Sequence, residues 1–221
     1  MSKYIDLTHT FGSSMPGFPG DPTPTLKQVA FLDKEGYVDH EIKTSMHLGT
    51  HIDAPMHMVK DGKSLAEIAP EKFFGPGVLI DARSQMRDSH SLSDRTNYEK
   101  KYFGVKLNFD VSFVLEQSIV LIFTGSSERY GFPEYYESYP ELSYETAEAL
   151  VNKKIKVVGF DTPSPDRQPF RVHKLLLSKE ILIIENLTNL EKLLDVPSFE
   201  VVALPFKLDA DAAPVRVVAR I

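Results

Sequence analysis

Short apolar runs bounded by turn residues recur along the chain, and most have the length and β-branched content of strands. Residues 4–9 open as an apolar-polar stretch of strand type. They lead into Met15-Pro16-Gly17-Phe18-Pro19-Gly20-Asp21-Pro22, where prolines and glycines stiffen an irregular loop and present Phe18 on it. An aromatic side chain held that way is either a hydrophobic plug or a substrate contact. Residues 25–31 and 37–44 read as two strands turning at Lys34-Glu35-Gly36. From 47 to 58 the pattern has period two. Positions 48, 52, 54, 56 and 58 carry Leu, Ile, Ala, Met and Met, while 47, 51, 53 and 57 carry His, His, Asp and His. An extended strand sends successive side chains to opposite faces, so one face is core and the other polar. Gly49, Thr50, Ile52 and Pro55 weigh against a helix here.

Beyond it, Ser64-Leu65-Ala66-Glu67 has capping-box spacing and predicts a short helix. Residues 77–82 and 119–124 are apolar runs of buried-strand type. Residues 83–109 are polar and aperiodic and read as a long loop or insertion with a short helix in it. Ser143 is the predicted N-cap of a helix over 144–152, with Ala147, Leu150 and Val151 on one face. The last third predicts strands at 156–161, 181–184, 201–208 and 215–221, the second delivering Glu185, and a short helix around 190–194. No repeat is present, and the expectation is a single domain over 1–221, mixed α/β (α+β) with a dominant sheet.

Composition narrows the function. The net charge of −6 and the lack of a basic run argue against a nucleic-acid surface. With no cysteine, disulfides and thiolate chemistry are excluded, and any metal must be held by His and carboxylates. The N-terminus has no apolar signal core and no stretch approaches the ~18 apolar residues of a membrane span, so the expected location is the cytoplasm, with no membrane partner.

Four of the residues on the polar face at 47–57 are metal-ligand types: His47, His51, Asp53 and His57. On an ideal strand His47 and Asp53 would lie roughly 20 Å apart, whereas a metal draws its ligands to about 2.0–2.2 Å. The chain must bend to build one site, and Gly49 and Pro55 are the suitable places. The alternative is a polar edge with chance clustering of His. Further ligands are sought elsewhere: His173, after the proline-rich loop, and Glu185, at the end of an otherwise apolar strand. Glu185 is open to the alternative of an exposed strand end, and His173 to that of an isolated, non-ligating His.

The stretch His47-Leu48-Gly49-Thr50-His51-Ile52-Asp53-Ala54-Pro55-Met56-His57 resembles the HxGTHxDxPxH signature of the cyclase-like family of metal-dependent hydrolases, which includes bacterial kynurenine formamidase and isatin hydrolase. The resemblance continues through Phe18-Pro19-Gly20-Asp21, Thr124-Gly125, Asp161-Thr162-Pro163-Ser164, Ala203-Leu204-Pro205 and Asp211-Ala212-Ala213-Pro214-Val215-Arg216. It implies a swivelling β/β/α domain, commonly a homodimer or homotetramer. It further implies that His47, His51 and Asp53 bind one ion, that Asp53, His173 and Glu185 complete a second site, and that His57 is the acid/base. For His57 the other roles are a further ligand, or a residue orienting one. Zinc is the expected metal, two ions with manganese as the alternative. The implied substrate is a small aromatic amide: an N-formyl aromatic amine such as N-formylkynurenine, with isatin-type ring opening or a lactone as the runner-up. Phe18 and Ser126 stand where relatives carry Trp, so the aromatic wall of the substrate pocket is altered. A different class of reading is a metal-binding protein without catalysis.

Overall fold

The computed structural model describes residues 3–88 and 104–221. The chain opens with β1 (Tyr4–Asp6), then a ribbon of β2 (Thr25–Ala30) and β3 (Asp39–Lys43) joined through the short helix α1 (Leu32–Glu35). There follow β4 (His51–Asp53), β5 (Phe74–Asp81), α2 (Arg83–Asp88), β6 (Lys106–Leu107) and β7 (Ile119–Phe123). Next come α3 (Pro133–Glu137), β8 (Glu141–Leu142), α4 (Tyr144–Asn152), β9 (Val157–Phe160) and α5 (Arg171–Ser178). The chain closes with β10 (Leu182–Glu185), β11 (Phe199–Val202), β12 (Ala212–Pro214) and β13 (Val218–Arg220). Nine of these strands form one mixed sheet in the order β1-β13-β11-β5-β7-β9-β10-β4-β12. The architecture is the mixed α/β class expected from the sequence.

The centre of the sheet is parallel, β5-β7-β9-β10. Strands covered on both faces need apolar side chains in both directions, which is why Ile119–Phe123 reads as an unbroken apolar run. Its alternate residues enter separate cores. Val120 and Ile122 pack with Leu150 of α4 and with Val172 and Leu176 of α5. Ile119, Leu121 and Phe123 pack on the other side, with Leu187, Leu190 and Val201. That second core also takes Ile5 from one end of the sheet and Ile52 from near the other, so the sheet curls around it. Helix α4 spans the expected residues, and the Ser143 hydroxyl accepts the Thr146 amide at 3.1 Å.

Several expectations are corrected. The strand over 201–208 instead starts at Phe199 and ends at Val202, and the final strand is confined to Val218–Arg220. Residues Leu65–Glu67 are a single 3-10 turn, in which the Glu67 carboxylate accepts the Ser64 amide at 2.9 Å. The period-two strand over 47–58 survives only as His51–Asp53. Gly49 takes φ +64° before it, and Pro55–His57 forms a 3-10 turn after it. Leu48, Ile52 and Ala54 are buried as predicted, but Met56 is exposed because the turn breaks the alternation. Of the segment expected to be a loop or insertion, 83–109, α2 and β6 are seen at its ends, and residues 89–103 lie outside the described residues.

Candidate active site

The bend at Gly49 is specified locally. A Cβ there would come within 2.5 Å of the Met15 sulfur, so both its positive φ and its surroundings call for glycine. Asn186 fixes the bend by donating its side-chain amide to the Gly49 carbonyl at 2.9 Å, while its own carbonyl oxygen accepts the Tyr135 hydroxyl at 2.8 Å. The turned chain presents His47, His51, Asp53 and His57 to one cleft.

Strand register supplies the remaining groups. β10 runs antiparallel to β4 and places Glu185 opposite His51. β12 flanks β4 on its other side with Ala212 opposite Asp53, so the residue just ahead of it, Asp211, reaches the same cleft. Helix α5, packed against β10, offers His173 from its first turn. That helix is not among the elements expected from the sequence. Its start is held by Asp166, whose carboxylate accepts the Val172 amide at 2.7 Å and also the His173 Nδ1 proton.

The distances describe a convergent cluster. His47 Nδ1 is 3.0 Å from Asp53 Oδ1, and His51 Nε2 is 3.4 Å from the same oxygen. Glu185 lies 3.3 Å from His51 Nε2 and 3.2 Å from His173 Nε2, the latter 4.0 Å from Asp53 Oδ2. Asp211 Oδ2 sits 2.9 Å from His47 Nε2 and 3.2 Å from His57 Nδ1. Glu185 is only 6% exposed, which removes the exposed-strand-end alternative, and His173 is buried rather than isolated.

Hydrogen bonds outside the cluster fix two of the rings. His51 Nδ1 is 2.8 Å from the Gly49 carbonyl, which can only accept, so Nδ1 carries a proton and Nε2 is the atom turned toward Asp53 and Glu185. His173 Nδ1 faces the Asp166 carboxylate, which directs Nε2 at Asp53 and Glu185, where it can bind a cation once its proton is displaced. Both Asp53 oxygens and His51 Nε2 are buried with no hydrogen-bond partner of acceptable geometry. Unpartnered buried carboxylate oxygens are costly. A divalent cation among these nitrogen and oxygen donors would satisfy them, so the residues fit the metal that the sequence implies. His47, His51 and Asp53 form one group able to hold an ion; Asp53, His57 and His173 form another, and His47, His57 and Asp211 a third.

In the protein alone, protons take over part of that compensating role. Burial works against charge at His47 and His173, yet the adjacent carboxylates, Asp53 and Asp211 for the first and Asp166 and Glu185 for the second, raise them to about 9 and about 10. Burial alone would push Asp53 and Glu185 up; the surrounding imidazoles reverse this and hold both below the usual carboxylate range. His57 differs. Burial and the nearby imidazoles outweigh its carboxylate neighbours and lower its pKa, favouring the neutral ring.

The cluster opens into a cleft of about 390 Å³ lined by Phe18, Tyr136, Tyr139 and Phe170. Phe18 is no buried plug: it is 46% exposed and meets the Tyr136 ring edge-on at 5.8 Å. Asp211 and Asp166 were missed from sequence. The signal for Asp211 lies in the motif Asp211-Ala212-Ala213-Pro214-Val215-Arg216, and a lone loop acid such as Asp166 carries none.

Comparison with known proteins agrees with this geometry. The chain is 32% identical over 225 residues to the kynurenine formamidase of Bacillus cereus, covering 99% of this chain and 98% of that protein. Its fold superposes on isatin hydrolase A from Labrenzia aggregata with a TM-score of 0.83 at 25% identity, over 100% of this chain and 94% of the other. A predicted metal-dependent hydrolase from Bacillus stearothermophilus matches with a TM-score of 0.72 at 29% identity, over 100% and 98%. Fold and site together define a hydrolase. Residues 5–167 match the family model described as putative cyclase, and the chain belongs to that family.

Proposed function

We propose that this protein is a metal-dependent amidohydrolase of the arylformamidase type, releasing formate from an N-formyl aromatic amine such as N-formylkynurenine. The observation that carries the reading is the set of buried Asp53 oxygens, without a well-aligned hydrogen bond and ringed by imidazoles at the floor of an aromatic-walled cleft. His47, His51 and Asp53 would hold one divalent ion, and Asp53, His173 and Glu185 a second, with zinc the first choice and manganese compatible with the oxygen donors. Such an ion supplies a water of pKa about 7 and polarises an amide carbonyl.

The chain's own groups do the rest. Phe18, Tyr136 and Phe170 flank the substrate ring and shield the reacting carbon from bulk water. His57, kept neutral and with Nδ1 directed at Asp211, presents Nε2 as a base. It takes the proton of the attacking water and returns it to the leaving nitrogen as the C–N bond breaks, giving formate and the free amine. Asp211 orients the ring and stabilises the imidazolium formed in between.

A second reading, ring-opening hydrolysis of a cyclic amide, is favoured by the similarity to isatin hydrolase A. A non-catalytic metal-binding role remains the reading of a different class. Formate release from N-formylkynurenine and formyl-anilides, measured beside isatin opening on zinc- or manganese-loaded protein, separates the three. Turnover of isatin alone transfers the assignment to the second reading; turnover of neither points to another cyclic amide or a lactone, and a closed, fully protein-liganded metal shell to the third. A homodimer or homotetramer is part of the proposal.

A further inference from the structure

The cluster has a buried side and an open side. Side-chain exposure is at most 9% at His51, Asp53, His173 and Glu185, against 23% to 37% at His57, His47 and Asp211. The open side is a donor group of its own. His57 Nδ1 and His47 Nε2 lie 3.2 and 2.9 Å from the same Asp211 oxygen, Oδ2, and the two rings stand 4.2 Å apart between centroids. Imidazole nitrogens with a carboxylate are the donors zinc takes, whereas magnesium prefers oxygen alone. The buried side brings two carboxylates, Asp53 and Glu185, and the rim brings one. The His47 ring also turns Nδ1 to Asp53 at 3.0 Å, which leaves its Nε2 a secondary donor at the rim. A cation there is held by fewer and more exposed groups, with water in the remaining positions. It fills after the inner ions and leaves before them.

We propose that His57 Nδ1 and Asp211 form a further cation site, weaker than the inner ones, and that zinc or a similar nitrogen-seeking ion bound there switches the enzyme off. Binding stands on the geometry of the rim; the switch rests on the hydrolase reading, in which His57 donates Nδ1–H to Asp211 and acts as a base through Nε2. An imidazole that coordinates a cation through Nδ1 carries no proton on that atom. The proton moves through water to Nε2 and the ring stays neutral. The lone pair that would take the proton of the attacking water is then gone. The same cation also draws the Asp211 carboxylate away from orienting the ring. Stoichiometric metal thus activates, and excess metal inhibits.

Zinc added stepwise to the metal-free full chain tests the proposal, with bound metal read by equilibrium dialysis without substrate and turnover read in parallel. The expected result has two phases. Tightly held ions bring on hydrolysis of the formyl amide. One further ion per chain then binds weakly, and turnover falls by about 10²–10⁴-fold, the worth of the acid/base it removes. A weak chelator that strips only this ion restores turnover. Asp211→Asn and His57→Ala, each checked for folding by circular dichroism, should keep the tight phase and lose the weak one. The residual turnover of Asp211→Asn should no longer fall in excess zinc, and magnesium at equal concentration should not inhibit the unaltered chain. A weak ion that persists in both variants, inhibition that persists in Asp211→Asn, or the absence of a weak phase overturns the proposal. A chain that hydrolyses the amide and takes up no weak ion ends this proposal alone. A chain whose weak ion is lost in both variants, but which turns over no substrate, keeps the site and ends the hydrolase reading with the switch that depends on it.

Discussion

Asp211 and His57 meet at the rim of the cluster, the carboxylate 3.2 Å from Nδ1, and the same oxygen lies 2.9 Å from His47 Nε2. One acid thus touches a proposed metal ligand and the proposed acid/base, and it arrives just ahead of β12, the edge strand beside β4.

The two roles are separable by kinetics. His57→Ala should retain bound metal and lose about 10²–10⁴-fold in kcat, the usual worth of a general acid/base. Asp211→Asn should keep most of the metal and lose about 10–100-fold, as expected of a group that orients another. Elemental analysis beside steady-state kinetics reads both. Loss of metal from His57→Ala would make that residue a ligand instead.

Asp166→Asn addresses the outer partner of His173. The substitution leaves a weaker acceptor for the ring proton and for the Val172 amide. Metal affinity should fall about 10–100-fold, measured by competition with a chelator. Unchanged affinity would mean that His173 is held in place by packing alone.

Metal binding should release protons. His47 and His173 titrate at about 9 and about 10 in the protein alone, so near neutrality both carry protons that an incoming cation must displace. Apparent zinc affinity should therefore climb as pH rises from 6 to 8, by roughly tenfold per unit for each proton displaced. For the metal-free chain the sign is set by the raised values. The stability these two groups add is complete below the ordinary His value and is lost as pH rises through 9 to 10. Calorimetry at several pH values, with and without zinc, checks both; a pH-independent affinity would contradict them.

His9 behaves oppositely. Its ring stacks on Tyr130 at 3.7 Å, and burial pushes its pKa down to about 4. The unfolded chain then binds a proton that the folded chain refuses between pH 6.5 and 4, so this residue costs stability as pH falls through that window. His9→Phe keeps the stacking and removes the titration. Its denaturant midpoint should decline less than that of the unaltered chain between pH 6.5 and 4.5, and parallel profiles would refute the assignment.

Local pattern carried much of the fold. The unbroken run at 119–123 marks a strand buried on both faces, and Ser143 marks a helix start, because both depend on neighbours in sequence. Helix α5 was hidden because its cap comes from Asp166, and Phe170, the residue before its first turn, sits in the left-handed region. Met56 departs from its expected burial because a 3-10 turn at Pro55 ends the alternation that the residue pattern continues.

For the site the division is similar. The sequence by itself determined that His51 and Asp53 share a strand face and that the chain must bend for His47 and His57 to join them, since side-chain direction and reach are local properties of the backbone. Only the tertiary structure decided that Glu185, His173 and Asp211 join them. Their approach depends on the register of β10 and β12 against β4 and on the seating of α5, and such long-range pairings leave no local trace in the order of residues.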